Sequence, residues 1–291
     1  GVGMTEGMVR SSRVAVVVRD LDPVLDLYCE GLGLGPFEIQ EIDASGARLN
    51  GAAAPARLRV ASAPLGVCEM ELIEVVEGRP PHLEFLEEQG EGMNHFNLDK
   101  CSPEAYLETL GRLYGRGVEP FWGYPFNSFC YVDTAGVGGV TFEVMVGSGH
   151  AGKKGHNHLG LVVADTARTI AFYSEALGLG PFRSGVFPMR RAFYRDARIE
   201  TSFRASFCDI GEARLEVFQV LEGDTPLGAH LEARGEGMHH LALAVPEPEK
   251  RLEALAARGV GATWECPEAD LTLLDTRAVG GMNFAIAGAS A

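Results

Sequence analysis

Short apolar runs of strand length alternate along the chain with stretches whose apolar positions recur every three or four residues. Val14 to Val18 is a β-branched run that predicts a strand. Asp22 then offers a helix N-cap and Pro23 a first helical position, and the amphipathic stretch that follows stops at Gly31, Gly33 and Gly35. Three further strand-like stretches lie near 36–42, 56–62 and 68–76, so the order is βαβββ. The same order returns from Asn94 to Leu98, with a helix at about 104–115 and strands near 119–125, 128–133 and 140–146. A third unit begins at Asn157 and a fourth at His239, the latter with a helix at about 247–258.

The four units are two pairs, because the chain repeats itself. Tyr28-Cys-Glu-Gly-Leu-Gly-Leu-Gly-Pro-Phe37 recurs as Tyr173-Ser-Glu-Ala-Leu-Gly-Leu-Gly-Pro-Phe182, and Gly90-Glu-Gly-Met93 recurs as Gly235-Glu-Gly-Met238. Asp133-Thr134, Gly138-Gly139 and Phe142 recur as Asp275-Thr276, Gly280-Gly281 and Phe284. Domains of 10–148 and 155–289 are expected, separated by a Gly/Ser/Lys linker at Gly147 to Gly155. A single βαβββ sheet leaves one apolar face uncovered by its helix. Units must therefore pair, and paired sheets enclose a cup. The fold class is α+β.

Residues able to hold a metal ion fall at matching positions of the units. First strands carry Arg13, His95, His158 and His240; last strands carry Glu71, Glu143, Glu216 and Ala285. A lone His at a strand end is ordinarily a satisfied polar residue. A Glu inside an apolar run is not, since an unpaired buried carboxylate costs several kcal/mol. Asn97 shares a strand phase with His95, and Tyr131 lies on a strand that would face the same cup.

These features resemble the vicinal oxygen chelate superfamily, which includes glyoxalases, bleomycin resistance proteins and extradiol dioxygenases, over essentially the whole chain. Gly90-Glu-Gly-Met-Asn-His95 and Gly235-Glu-Gly-Met-His-His240 are similar to a motif of methylmalonyl-CoA epimerases. The resemblance implies glyoxalase-like domains with cup-shaped sheets, metal ligands on the first and last strands of each unit, and a substrate that chelates through neighbouring oxygens. Pairing within each half would give one site of Arg13, Glu71, His95 and Glu143 and another of His158, Glu216, His240 and Ala285. Pairing across the halves would collect His95, Glu143, His158 and Glu216 into one complete site and leave Arg13 beside Glu71 in a dead one. Crossed pairing is the expectation, because it places both ligand losses in a single cup.

The expected activity is that of a metal-dependent lyase or isomerase working through an enolate or enediolate. It would use one divalent ion (Zn, Ni, Co, Mn or Fe), with Glu143 and Glu216 as the proton-moving carboxylates and no residues assigned to an organic cofactor. The alternatives are an extradiol-type Fe(II) dioxygenase with a two-His, one-Glu face, and a metal-free protein that binds small molecules such as drugs. Arg190, Arg191 and Arg195 could form a lid over an anionic substrate, but a solvated loop is the favoured reading.

Composition narrows the partners. A formal charge of −15 argues against nucleic acid, which selects clustered Lys and Arg. No apolar run approaches the ~18 residues of a membrane span. Six scattered cysteines without a C-x-x-C, and an N-terminus without export features, fit reduced thiols in a cytoplasmic protein, a monomer or homodimer with a small-molecule substrate.

Overall fold

The computed structural model describes residues 13–65, 68–100, 102–124, 129–146, 158–210 and 213–288; the Gly147 to Gly155 linker and the outermost residues of both expected domains lie outside them. The first unit opens with β1 (Arg13–Val18), completely buried after Arg13. Helix α1 (Leu21–Asp26) starts earlier than expected, because the side chain of Asp20, not Asp22, is the cap and accepts the Asp22 N–H. The helix continues as a π-helical turn over Leu27–Gly31. Then come β2 (Glu38–Ala44), the two-residue strands β3 (Arg48–Leu49) and β4 (Ala52–Ala53), β5 (Ala56–Leu65) and β6 (Cys68–Gly78).

A helix absent from the sequence reading, α2 (Pro81–Gln89), leads to the second unit: β7 (Gly92–Lys100), α3 (Pro103–Tyr114), β8 (Pro120–Tyr124), β9 (Phe129–Val132) and β10 (Thr141–Val146). The second half repeats the plan. It has β11 (His158–Val162), α4 (Thr166–Phe172) with a π-helical turn over Tyr173–Leu177, β12 (Arg183–Tyr194), β13 (Ala197–Ile210) and β14 (Ala213–Glu222). Helix α5 (Pro226–Arg234) is the counterpart of α2, followed by β15 (Gly237–Val245), α6 (Pro248–Ala257), β16 (Ala262–Cys266), β17 (Leu271–Leu274) and β18 (Phe284–Gly288).

The first half folds into one cupped ten-stranded sheet and the second into a closed eight-stranded barrel. Units pair within each half, through the antiparallel ladders β1–β7 and β11–β15. This corrects the crossed pairing: His95 and Glu143 belong to the first sheet, His158 and Glu216 to the barrel, and the four make no common site. The crossing occurs in the helical layer instead. The Tyr28 ring meets Phe284 edge-on at 5.0 Å, Tyr173 meets Phe142 at 5.2 Å, and Arg258 on the C-cap of α6 pairs with Asp26 of α1 at 3.1 Å. The helix of unit one thus packs on unit four, and that of unit three on unit two. One apolar core, running from Val14 and Leu72 to Phe284 and Ile286, fills the space between the two sheets.

The Gly-Glu-Gly-Met repeat is a staple between the halves. Glu236 accepts the N–H of Gly138 from the first half at 3.0 Å and that of Ala164 from its own at 2.9 Å. Glu91 does the mirror-image job, accepting from Gly280 at 3.2 Å and Arg19 at 2.8 Å. Gly139 and Gly281 have φ of 68° and 71°, and a Cβ on either would overlap the carbonyl of the glutamate opposite, so glycine is required at both. No helix among the described residues is long and apolar enough to cross a membrane.

Candidate metal centre

The same backbone register builds both cups. In the first, Ala15 of β1 lies between Glu71 of β6 and His95 of β7, Arg13 is two residues along on the same face, and Glu143 of β10 stands beside Asn97. In the barrel, Gly160 lies between Glu216 and His240, and His158 is two residues along. Ala285 stands beside Ala242 where the first cup has Glu143 beside Asn97.

The first cup is internally neutralised. Arg13 Nε is 3.5 Å from Glu71 Oε1; burial lowers the Arg13 pKa, but Glu71, Glu143, Glu69 and Asp99 together raise it above the ordinary value. Asn97 donates to Glu143 Oε2 at 3.1 Å, and His95 Nε2 is 3.5 Å from the same oxygen. Burial pushes the Glu143 pKa up, yet His95, Arg13 and Asn97 outweigh it and hold this carboxyl below the usual range. For Glu71 burial prevails over Arg13 and the pKa is raised. Tyr131 faces the cup as its strand phase suggested, its hydroxyl 3.2 Å from His95 Nε2 and 3.0 Å from His82 Nε2. His82 comes from the unforeseen α2 and is fully buried against Trp122; burial, reinforced by His95, drives its pKa down to about 3. Its signal was present in the sequence: His82 and Leu86 are four apart behind a Pro at the first helical turn, and both are buried. A guanidinium stands where a cation would sit among these carboxylates. The first cup does not fit a metal ion.

The barrel has no such substitute. His158 Nδ1 lies 3.2 Å from Glu216 Oε1, and the His158 side chain retains 27% exposure, so the pair is reachable. His240 is 2% exposed, and its ring lies over Gly160, where a Cβ would strike the imidazole. Its Nδ1 is 2.9 Å from Nδ1 of His239, whose ring also donates to the carbonyl of Pro226. One of these two nitrogens carries the hydrogen between them, and with it on His240 Nδ1 the His240 Nε2 lone pair is left for the cup. Burial keeps both rings neutral: the His240 pKa falls to about 4 even with Glu216 opposing, and that of His239 falls well below the ordinary value. As placed, no three His, Cys, Asp or Glu side chains among the described residues form a ready metal cage, and His158 pairs with Glu216. By donor chemistry, two imidazoles and a carboxylate on one inner face, the barrel fits a divalent ion.

Around these donors the barrel is lined by Phe203, Phe218, Ala242, Trp264, Leu273 and Ala285. The Trp264 Nε1–H is buried without a hydrogen-bond partner. Arg190 and Arg191 are not a lid: their backbone N–H groups bond to the carboxylate of Glu268 at 3.0 and 3.1 Å, which fixes β12 to the turn before β17.

Residues 157–272 match the model of the Glyoxalase/Bleomycin resistance protein/Dioxygenase superfamily. Over that stretch, less than half of its length, the chain is similar to that superfamily. The match runs from β11 to the start of β17, and the first half shares the Tyr-x-Glu-x-Leu-Gly-Leu-Gly-Pro-Phe signature and the strand register of that stretch. An uncharacterized protein of Bacillus subtilis, YqjC, is 28% identical over 105 residues, which is 36% of this chain and 66% of that relative, slightly under two thirds of its length. Among solved structures, a mutant 4-hydroxymandelate synthase from Streptomyces coelicolor aligns with a TM-score of 0.66 and 13% identity, covering 95% of this chain and 91% of the other. BphC, a halotolerant catechol dioxygenase, aligns with a TM-score of 0.52 and 11% identity over 97% and 88% of the two chains. At such identity these two share the fold, a tandem of cupped α+β domains.

Proposed function

We propose that this chain is a cytoplasmic divalent-metal-dependent enzyme whose one reaction centre is the barrel, with His158, Glu216 and His240 as the ligands, acting on a small molecule that binds through neighbouring oxygens. The observation that supports it is the pairing of units within each half. That pairing puts the three donors on one face, whereas the first cup has Arg13 in the fourth ligand's place. A divalent ion held there would supply Lewis acidity or, as Fe(II), a site for dioxygen.

Three donors favour the oxygenase reading over the lyase or isomerase reading. The second carboxylate that a proton shuttle needs is Ala285 in this cup, and Glu143 faces the other one. The expected last-strand Glu of a dioxygenase is also absent, but the internal twofold relation between the barrel's two units makes Glu216 of β14 its equivalent. Two His plus that Glu have the same relative placement. In this reading His239 fixes the tautomer of His240, Trp264 Nε1 donates to the substrate, and Phe203 and Phe218 keep water out. Free Cys29, Cys130, Cys208 and Cys266 accord with a reducing compartment.

Anaerobic loading with Fe(II), followed by metal analysis, tests the ligand set. About one ion per chain is expected in the parent and in His95→Ala, and well under half of that in His240→Ala and Glu216→Gln. Retention in His240→Ala, or loss in His95→Ala, overturns it. Dioxygen uptake with catechol by the loaded protein supports the oxygenase reading; metal bound without uptake returns the choice to the isomerase.

A further inference from the structure

The two domains meet over a cleft of about 510 Å³, whose lining also takes in Tyr131 of the first cup and His239 and His240 of the barrel. Its walls are α2 and α5, the starts of β7 and β15, and the stapled loops after β9 and β17. The internal repeat predicts two equivalent sides, and in backbone they are. In chemistry they differ: where the first half presents Phe85, Gln89 and Ala135, the second presents His230, Arg234 and Arg277, and all six line the cleft.

The basic side is uncompensated. Among the described residues neither Arg234 nor Arg277 has a carboxylate within ion-pairing distance; Arg234 donates only to the backbone carbonyl of Gln89, at 2.9 Å. His230 Nδ1 is buried without a partner. Burial and then Arg277 lower the Arg234 pKa, and burial followed by Arg277 and Arg234 lowers that of His230 to about 4, so His230 is neutral beside two guanidiniums that repel each other. Of the carboxylates around the cleft, Glu236 is occupied by the N–H groups of Gly138 and Ala164, while Glu84, Glu88 and Asp133 are exposed. Two part-buried guanidiniums without counter-ions are costly unless an anion joins them, and this protein is otherwise strongly acidic.

We propose that the cleft is a second ligand site for a small anionic molecule, a carboxylate or a phosphate ester, gripped by Arg234 and Arg277 and contacted by His230. Planar guanidinium forks match both acid groups, and the volume is that of a small-metabolite pocket.

Calorimetric titration of the full chain at low salt, without added metal, tests this with two probes, inorganic phosphate and citrate. Saturable binding of at least one is expected, weakened about tenfold or more in Arg277→Gln and in Arg234→Gln and unchanged in Arg191→Gln, an exposed arginine elsewhere. Phosphate alone binding assigns the phosphate class, and citrate alone the carboxylate class. Either variant suffices if the other loses its fold by circular dichroism. No saturable binding, or binding that survives both substitutions, overturns the site. Because metal is left out, the result is independent of the barrel's reading.

Discussion

At the position that His158 holds in the barrel, and near a Glu143 whose place in the barrel is taken by Ala285, the first cup has Arg13. Its guanidinium faces two glutamates with opposite titration behaviour. Glu143 lies below its usual range, so its charge stabilises the fold above the ordinary value of about 4.3, and that contribution disappears as pH falls through the lower folded value. Glu71 lies above its range, so its charge costs stability at neutral pH, and the cost is relieved as pH falls through the raised value. Arg13→Gln leaves both without the cation. Because the Arg13 side chain is 32% exposed, water screens part of the loss, and about 2–3 kcal/mol is expected rather than the 3–5 of a fully buried pair. Urea unfolding should show that deficit at about pH 8 and a smaller one at lower pH, as Glu71 takes up its proton. A deficit independent of pH would mean that Arg13 acts by packing alone.

At the scale of elements, the repeated glutamates are tension members between domains. Glu236→Ala removes the acceptor from two backbone N–H groups, those of Gly138 and Ala164, and should cost about 1–3 kcal/mol with faster amide exchange at both positions. Faster exchange at Ala164 alone would show that the bond across the interface carries no stability. Period and punctuation in the sequence were enough to place the units: the helix expected at 104–115 is Pro103–Tyr114, and the one at 247–258 is Pro248–Ala257. They also gave the strand positions of the candidate residues, because register follows from alternation along each strand. Two things escaped. Helices α2 and α5 are too short for amphipathic periodicity to show, although Thr225 caps and Pro226 opens α5 in the usual manner. The partner of each sheet escaped too, since the ladders β1–β7 and β11–β15 are long-range pairings that no local pattern encodes. The economy of placing two ligand losses in one cup pointed the wrong way; each cup has lost one.

The whole molecule follows from where the crossing occurs. Each half pairs its own units, yet the outer faces of both sheets and their helices share one apolar core, so separating the halves would expose it along its full length. Tyr28 is fully buried in the second half's territory against Phe284, and Tyr173 in the first half's against Phe142. Such a core cannot melt on one side only, because each half supplies the other's cover. The full chain should therefore unfold in a single calorimetric transition with equal calorimetric and van't Hoff enthalpies, despite having two domains. Tyr28→Ala should destabilise it by about 3–5 kcal/mol. The decisive readout is amide exchange in the barrel: β11 and β14, remote in sequence from residue 28, should lose protection in step with β1 and β6 if the core is one cooperative unit. Two resolved transitions, or a Tyr28→Ala effect confined to the first sheet, would mean that the halves fold independently. Glu91 and Glu236 would then be docking contacts and not parts of a common core.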